Sequence, residues 1–299
     1  MQANAELDEE ALRRGLDHLQ AAEFIYETGL FPDLEYSFKH ALTHEVTYGG
    51  MLKERRRALH ARIVDAMEKL YGHRLEAEIE RLAYHAFRGE LWTQAAAYLK
   101  QAAQKAMARS AFPDATTWFE QALTAHSHLP ETRQTLEQAI DIRFDLRNAL
   151  IQIGDTERML EHLLEAEHIA RGISDQPRLA RVSVYLSYAF LKAGDYQRAL
   201  ESGQLAVNIG ETIHNRALTV EMDFRLGQVY AALGEYRRAL TLLERRAQLG
   251  ESEALRDRLS PPFPLSLHAR EMDGVLHGKD GRFRCWHHLV GRGHPPGRG

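Results

Sequence analysis

The strongest constraint on this chain is a turn that recurs every 40 residues, as Gly154-Asp155-Thr156, Gly194-Asp195-Tyr196 and Gly234-Glu235-Tyr236. The flanking apolar residues recur at steps of three and four, which is the spacing of a helical stripe. Before the second turn these are Leu179, Val182, Leu186, Ala189/Phe190 and Ala193; before the third they are Ala217, Val220, Phe224, Gly227 and Tyr230/Ala231. After the turns, Tyr196, Ala199 and Ala206 match Tyr236, Ala239 and Leu243. A helix that stops at Gly and restarts at once folds back on its predecessor. The pattern predicts antiparallel hairpins in which an aromatic wedges into each turn. Small residues at Ser187, Gly227, Ala199 and Ala239 then let the helices approach closely.

Composition removes most other classes. With 44% hydrophobic and 27% charged residues over 299 positions, the chain has material for a large core. No stretch approaches the ~18 uninterrupted apolar residues of a membrane span. Met1 to Glu10 is acidic and lacks the apolar core of a secretory signal. Cys285 is the only cysteine, which rules out a disulfide framework, so a cytoplasmic setting is expected. A net charge of -4 gives no global pull toward nucleic acid or a membrane surface.

Further upstream, Trp92, Ala95, Leu99 and Ala102 recur 20 residues later as Phe112, Ala115, Phe119 and Ala122, so one helix per unit packs on both neighbours. Leu129-Pro130-Glu131 breaks the chain before a long helix over 131–153. Residues 24–38 read as two short strands around Gly29 and Pro32, followed by helices over 40–48 and 53–71. Residues 256–299 differ in kind, with five of the nine prolines, seven of the 21 glycines and 8 Lys+Arg against 4 Asp+Glu.

The offsets of Gly227, Tyr230, Gly234, Tyr236 and Ala239 resemble the tetratricopeptide repeat (TPR). Arg246 departs from that pattern, as do Arg147, Thr156 and Met159 in the first repeat. The words Tyr36-Ser37-Phe38-Lys39-His40-Ala41-Leu42-Thr43-His44-Glu45 and Arg55-Arg56-Arg57-Ala58-Leu59-His60 resemble the end of a winged-helix linker. Such a linker joins an AAA-type ATPase to its TPR array in bacterial class III adenylate/guanylate cyclase proteins. The resemblance implies an all-α, right-handed superhelical solenoid of antiparallel hairpins with a small winged-helix remnant at the N-terminus. Its boundaries are 1–72 for the linker remnant, 73–250 for the repeats and 251–299 for a tail, read either as disordered or as the product of a frame shift. On this reading the chain is a fragment of the larger protein.

Chemistry is sparse. The chain has no GxxxxGK[ST], GxGxxG or HExxH motif, and His44-Glu45 runs on to Tyr48 without a second His. His40 and His44, His85, His126/His128, His162/His168 and Cys285-Trp286-His287-His288 lack the ligand spacing of a zinc site. No catalytic residue, cofactor or metal is expected, and the chain is read as no enzyme. Carrying the TPR groove positions over gives Asp145, Asn148, Gln152, Arg181, Tyr185, Tyr188, Lys192, Arg225 and Gln228. This set is polar and aromatic, suited to an acidic or extended peptide. Tyr188 stands where a chaperone-tail clamp has Asn. The expected role is a protein-interaction module of a signalling ATPase or cyclase, with the parent domains as further partners. The alternative is a DNA-binding transcriptional regulator fragment that tracks phosphates with Lys53, Arg55, Arg56, Arg57 and Arg62. The duller reading of that cluster is the solvated face of a helix, and nucleic acid is not the expected partner.

Overall fold

A computed structural model describes residues 8–29, 35–72 and 75–242. The expected tail over 251–299, the positions Leu243 and Arg246 and the segment around Pro32 lie outside the described residues. Among the described residues the elements run in the order α1 (Glu9–Ala21), β1 (Ile25–Gly29), β2 (Glu35–Phe38), α2 (Ala41–Gly49), α3 (Lys53–Tyr71), α4 (Ile79–Arg88), α5 (Trp92–Ala108), α6 (Phe112–His126), α7 (Arg133–Ile153), α8 (Thr156–Gly172), α9 (Gln176–Ala193), α10 (Tyr196–Thr212) and α11 (Arg216–Ala232). Residues 236–242 are helical again. The fold is an all-α, TPR-like array of helical hairpins with a minor N-terminal β element. None of the described helices is long and apolar enough to cross a membrane. The chain divides within α7, between Ala149 and Leu150, into two compact units.

In the first unit β1 and β2 pair antiparallel, with Ile25 opposite Phe38 and an irregularity between Glu27 and Gly29. The helices α3, α4, α5 and α6 pack in sequence, each on the next. Ala95, Leu99 and Ala102 of α5 are fully buried, as are Ala115 and Ala122 of α6, with Phe119 at 1% exposure. The 20-residue offset therefore marks one buried face per helix. Alanine dominates that face, so α5 approaches both neighbours closely, while Leu99 and Phe119 each supply about 1.5 to 3 kcal/mol of burial.

The second unit repeats a single joint. Gly154, Gly194 and Gly234 have φ of +74°, +79° and +79°, the left-handed region that ends a helix. At Gly194 the amide of Asp195 donates to the Phe190 carbonyl at 2.9 Å and that of Gly194 to the Leu191 carbonyl at 3.2 Å. This is the paired bond of a Schellman turn. The same pairs close the other two, Asp155 to Leu150 and Glu235 to Tyr230. Asp155 and Asp195 then cap the next helix by accepting from the amides of Arg158 and Arg198, each at 3.1 Å.

Halfway between these glycines the same turn is built without glycine. Ser174 (φ +55°) and His214 (φ +54°) hold it, with Asp175 donating to Ala170 and Asn215 to Gly210. Glu90 and Ser110 do so in the first unit, at φ +55° and +60°. The sequence pattern showed only every second joint, because polar residues tolerate the left-handed region locally at a cost of about 1 to 2 kcal/mol.

The expected close-packing positions are buried: Ser187 and Ala199 fully, Ala239 at 3%, and Gly227 likewise. One expectation is corrected. The aromatics after the glycines do not wedge into the turns, since Tyr196 and Tyr236 remain 36% and 44% exposed. Each stands at the first position of its helix, where the backbone bonds already close the turn.

Two outcomes are expected in urea unfolding followed by circular dichroism. Ser174→Gly raises stability by about 0.5 to 1 kcal/mol and Gly194→Ala lowers it by more than that, with the slope unchanged. The Ser187 hydroxyl is buried and finds no hydrogen-bond partner among the described residues. Ser187→Ala is therefore expected to stabilise by about 1 kcal/mol. Ser187→Val, which overfills the seam, is expected to destabilise by about 1 to 3 kcal/mol.

Candidate functional site

Within the second unit α9 packs on α8, α10 and α11. Its buried side carries Leu179, Val182, Val184, Leu186 and Phe190. The residues left over fall at steps of four, three and four along one stripe: Arg181, Tyr185, Tyr188 and Lys192. Arg181 and Lys192 are exposed and the two tyrosines half-buried. Facing them from α11 come Arg225 and Gln228, also half-buried.

The stripe is an alternation of cations and rings. The Arg181 Nε donates to the Tyr185 hydroxyl at 2.8 Å, and its guanidinium lies 5.6 Å from the Tyr185 ring centre. Tyr188 receives two cations, Lys192 Nζ at 5.5 Å and the Arg225 guanidinium at 4.8 Å. Arg225 Nη1 donates to Gln228 Oε1 at 3.3 Å. The body of Tyr185 packs on a core formed by Val184, Ala206, Val207, Met222 and Leu226. Gly203 keeps α10 close to that core, since a Cβ there would come within 2.4 Å of a Leu226 methyl. Tyr185 thus anchors the surface to the core with its ring, and both tyrosines hold positive groups at the rim. Three cations fixed beside two rings on adjacent helices can bind carboxylates and stack on flat side chains.

The other sequence-derived positions fall elsewhere. Gln152 is exposed in the last turn of α7, next to the Gly154 joint. Asp145 and Asn148 are half-buried in the first unit, where Asn148 accepts from Arg147 at 3.0 Å. Arg147, in place of the small residue of the motif, is itself 4% exposed.

The basic cluster on α3 is used mostly in internal contacts. Lys53 and Arg57 both pair with Glu90, at 3.1 Å each, and Arg56 lies over the Tyr48 ring at 5.1 Å. The Glu90 carboxyl sits below its ordinary pKa because of the hydrogen bonds from Lys53 and Arg57. Among the described residues no three His, Cys, Asp or Glu side chains gather as a metal site would require. His44 instead stacks on Tyr48, at 5.7 Å between ring centres.

Sequence reasoning missed a second set of arginines. Arg158, Arg178, Arg198 and Arg238 each follow an acidic residue by three positions and pair with it. Arg198 and Arg238 also lie over Phe190 and Tyr230, at 4.7 and 5.7 Å. The repeated spacing of acid and arginine was visible in the sequence and marks a structural lock on the joints.

No family model matches the chain. Among curated proteins, an uncharacterized protein of Rhizobium meliloti (strain 1021) is 29% identical over 118 residues, which are 38% of this chain and 12% of that relative. Among solved structures, the apo form of RapI superposes with a TM-score of 0.55 at 14% identity, covering 84% of this chain and 66% of RapI. The Rap conjugation gene regulator of plasmid pLS20, in complex with the Phr* peptide, gives 0.51 at 16%, covering 69% and 53%. YrrB, a TPR protein with an unusual peptide-binding site, gives 0.44 at 16%, covering 78% and 98%. Similarity at these identities extends to the fold.

The double ring contact predicts coupling. A double-mutant cycle with Tyr188→Leu and Arg225→Met, read by urea unfolding, is expected to give an interaction energy of about 0.5 to 2 kcal/mol. An additive cycle would remove Arg225 from the ring.

Proposed function

We propose that the chain is a protein-interaction module that takes an acidic, extended peptide segment along α9 and α11. The observation that carries this reading is the Tyr188 ring held between Lys192 and Arg225, with Arg181 and Tyr185 on the same helix face. Such a surface offers carboxylates three cations already positioned on aromatic rings. The pLS20 regulator, similar in fold, was solved with a peptide bound, which supports a peptide as the class of ligand. The chain acts without chemistry of its own, in the cytoplasm, as a regulatory segment of a multidomain cyclase and ATPase of the kind its sequence resembles. Its partners are then a peptide in the groove and the domains of that parent.

The test is fluorescence anisotropy with a fluorescein-labelled Asp/Glu-rich decapeptide against Gly/Ser and Lys-rich decapeptides. The acidic peptide is expected to bind best, with affinity falling as salt rises. Lys192→Ala with Arg225→Ala is expected to weaken it at least tenfold, about 1.4 kcal/mol, and Arg55→Ala to leave it unchanged. Equal binding of all three peptides overturns the reading. Measurable ATP turnover by the purified chain would overturn the non-catalytic part of it.

A further inference from the structure

Three helices of the first unit meet in a chain of hydrogen bonds that the groove does not use. The Tyr48 hydroxyl of α2 lies 2.8 Å from His60 Nε2 of α3, and His60 Nδ1 lies 2.8 Å from His85 Nδ1 of α4. His60 is buried, at 7% exposure. Tyr84 packs edge-on to both imidazoles, and His44 and Phe38 extend the row of rings through α2 to β2. Gly89, at the end of α4, keeps that helix against α3, because a Cβ there would come within 3.0 Å of the Ala61 amide nitrogen. The imidazoles, tilted by 38° with ring centres 5.1 Å apart, are therefore held together by backbone packing on the α3–α4 side. The α2 side is held differently. That helix buries no residue, and Leu42 and Val46 are 69% and 67% exposed.

We propose that Tyr48, His60 and His85 form an acid-released latch that ties α2, and the β hairpin before it, to α3 and α4. A bond between two imidazole nitrogens needs one as donor and one as acceptor, so the pair is closed to a second proton. The charged groups around the pair also disfavour a first. Arg56 of α3 lies over Tyr48, Arg88 of α4 lies over Tyr84, and Arg81 of α4 is the third cation. The Glu90 carboxylate at the end of α4 is engaged by Lys53 and Arg57. Tyr48 and His44 are the ring groups contributed by α2.

Burial first, then the His60 and Arg81 charges, push His85 down to about 4 from its ordinary 6.5. Burial, then Arg88 and Arg56, lower His60 as well. A group whose folded pKa is depressed below its free value loses protons on latching. For a histidine, the closed state is therefore favoured above 6.5 and progressively disfavoured as pH falls from there toward the folded value. Freeing one imidazole between pH 7 and pH 5 raises the opening constant about 20-fold.

Hydrogen exchange of the full chain by mass spectrometry, corrected for the intrinsic pH dependence of exchange, reads this directly. Protection of amides 41–50 is expected to fall at least 20-fold from pH 7 to pH 5, while that of α5 and α6 holds. His85→Asn, which keeps a polar partner without a titration in this range, is expected to flatten the response. Tyr48→Phe, which removes one hydroxyl from a half-exposed helix, provides the check if the histidine variant folds poorly. It is expected to lower protection of 41–50 already at pH 7. Equal protection of wild-type α2 at both pH values overturns the latch. So does a full pH response in His85→Asn, or unchanged pH 7 protection in Tyr48→Phe.

Discussion

The structure depends on one joint, a residue in the left-handed region that lets a helix end and its successor begin within two residues. In the second unit that joint falls at positions 154, 174, 194, 214 and 234, a regular 20-residue step. Each occurrence satisfies orphan carbonyls of the finished helix through the paired Schellman bonds. The residue after it is Asp, Asn or Glu, and Asp155, Asp175, Asp195 and Asn215 cap the new helix by accepting an amide three positions on. Helix length is thereby fixed at 17 or 18 residues for α8 to α11. Fixed length with an immediate reversal leaves antiparallel packing as the arrangement that buries every apolar stripe.

What the sequence made legible follows from the same joint. Where glycine holds it the turn was readable, and so were the helices on either side, while α3 at Lys53–Tyr71 was legible without such a joint. Where Ser174, His214, Glu90 or Ser110 holds it, the residue type gives no warning, because the left-handed conformation is imposed by the packing of both helices. The acidic residue and arginine three apart carried that information, but charge pairs of this spacing are common on helix surfaces for other reasons. The exposed Tyr196 and Tyr236 show the limit of motif reasoning. A matched residue type fixes neither its side-chain direction nor its burial.

The groove residues divide along a physical line. Arg181, Tyr185, Tyr188 and Lys192 could be grouped from sequence because they share one helix and one stripe. The contact of Tyr188 with Arg225 depends on how close α9 comes to α11, a separation that the sequence of neither helix states by itself. The meeting of His60 with His85 was out of reach for the same reason. The two are 25 positions apart, on helices whose separation is set by Gly89 against the Ala61 backbone.

Half-burial of the α9 tyrosines lowers the cost of ordering the cations beside them. A fully exposed arginine or lysine samples many rotamers, and ordering it on a ligand costs roughly 0.5 to 1.5 kcal/mol per side chain. Here the Tyr185 hydroxyl holds Arg181, and the Tyr188 ring holds Lys192 and Arg225, while the Tyr185 ring is held by the core beneath it. Part of the ordering cost is thus met on folding rather than on binding. The arginines that lie over Phe190 and Tyr230 also pair with Asp195 and Glu235 at the joints. The contact of a cation with a ring thus serves the joints as well as the α9 face.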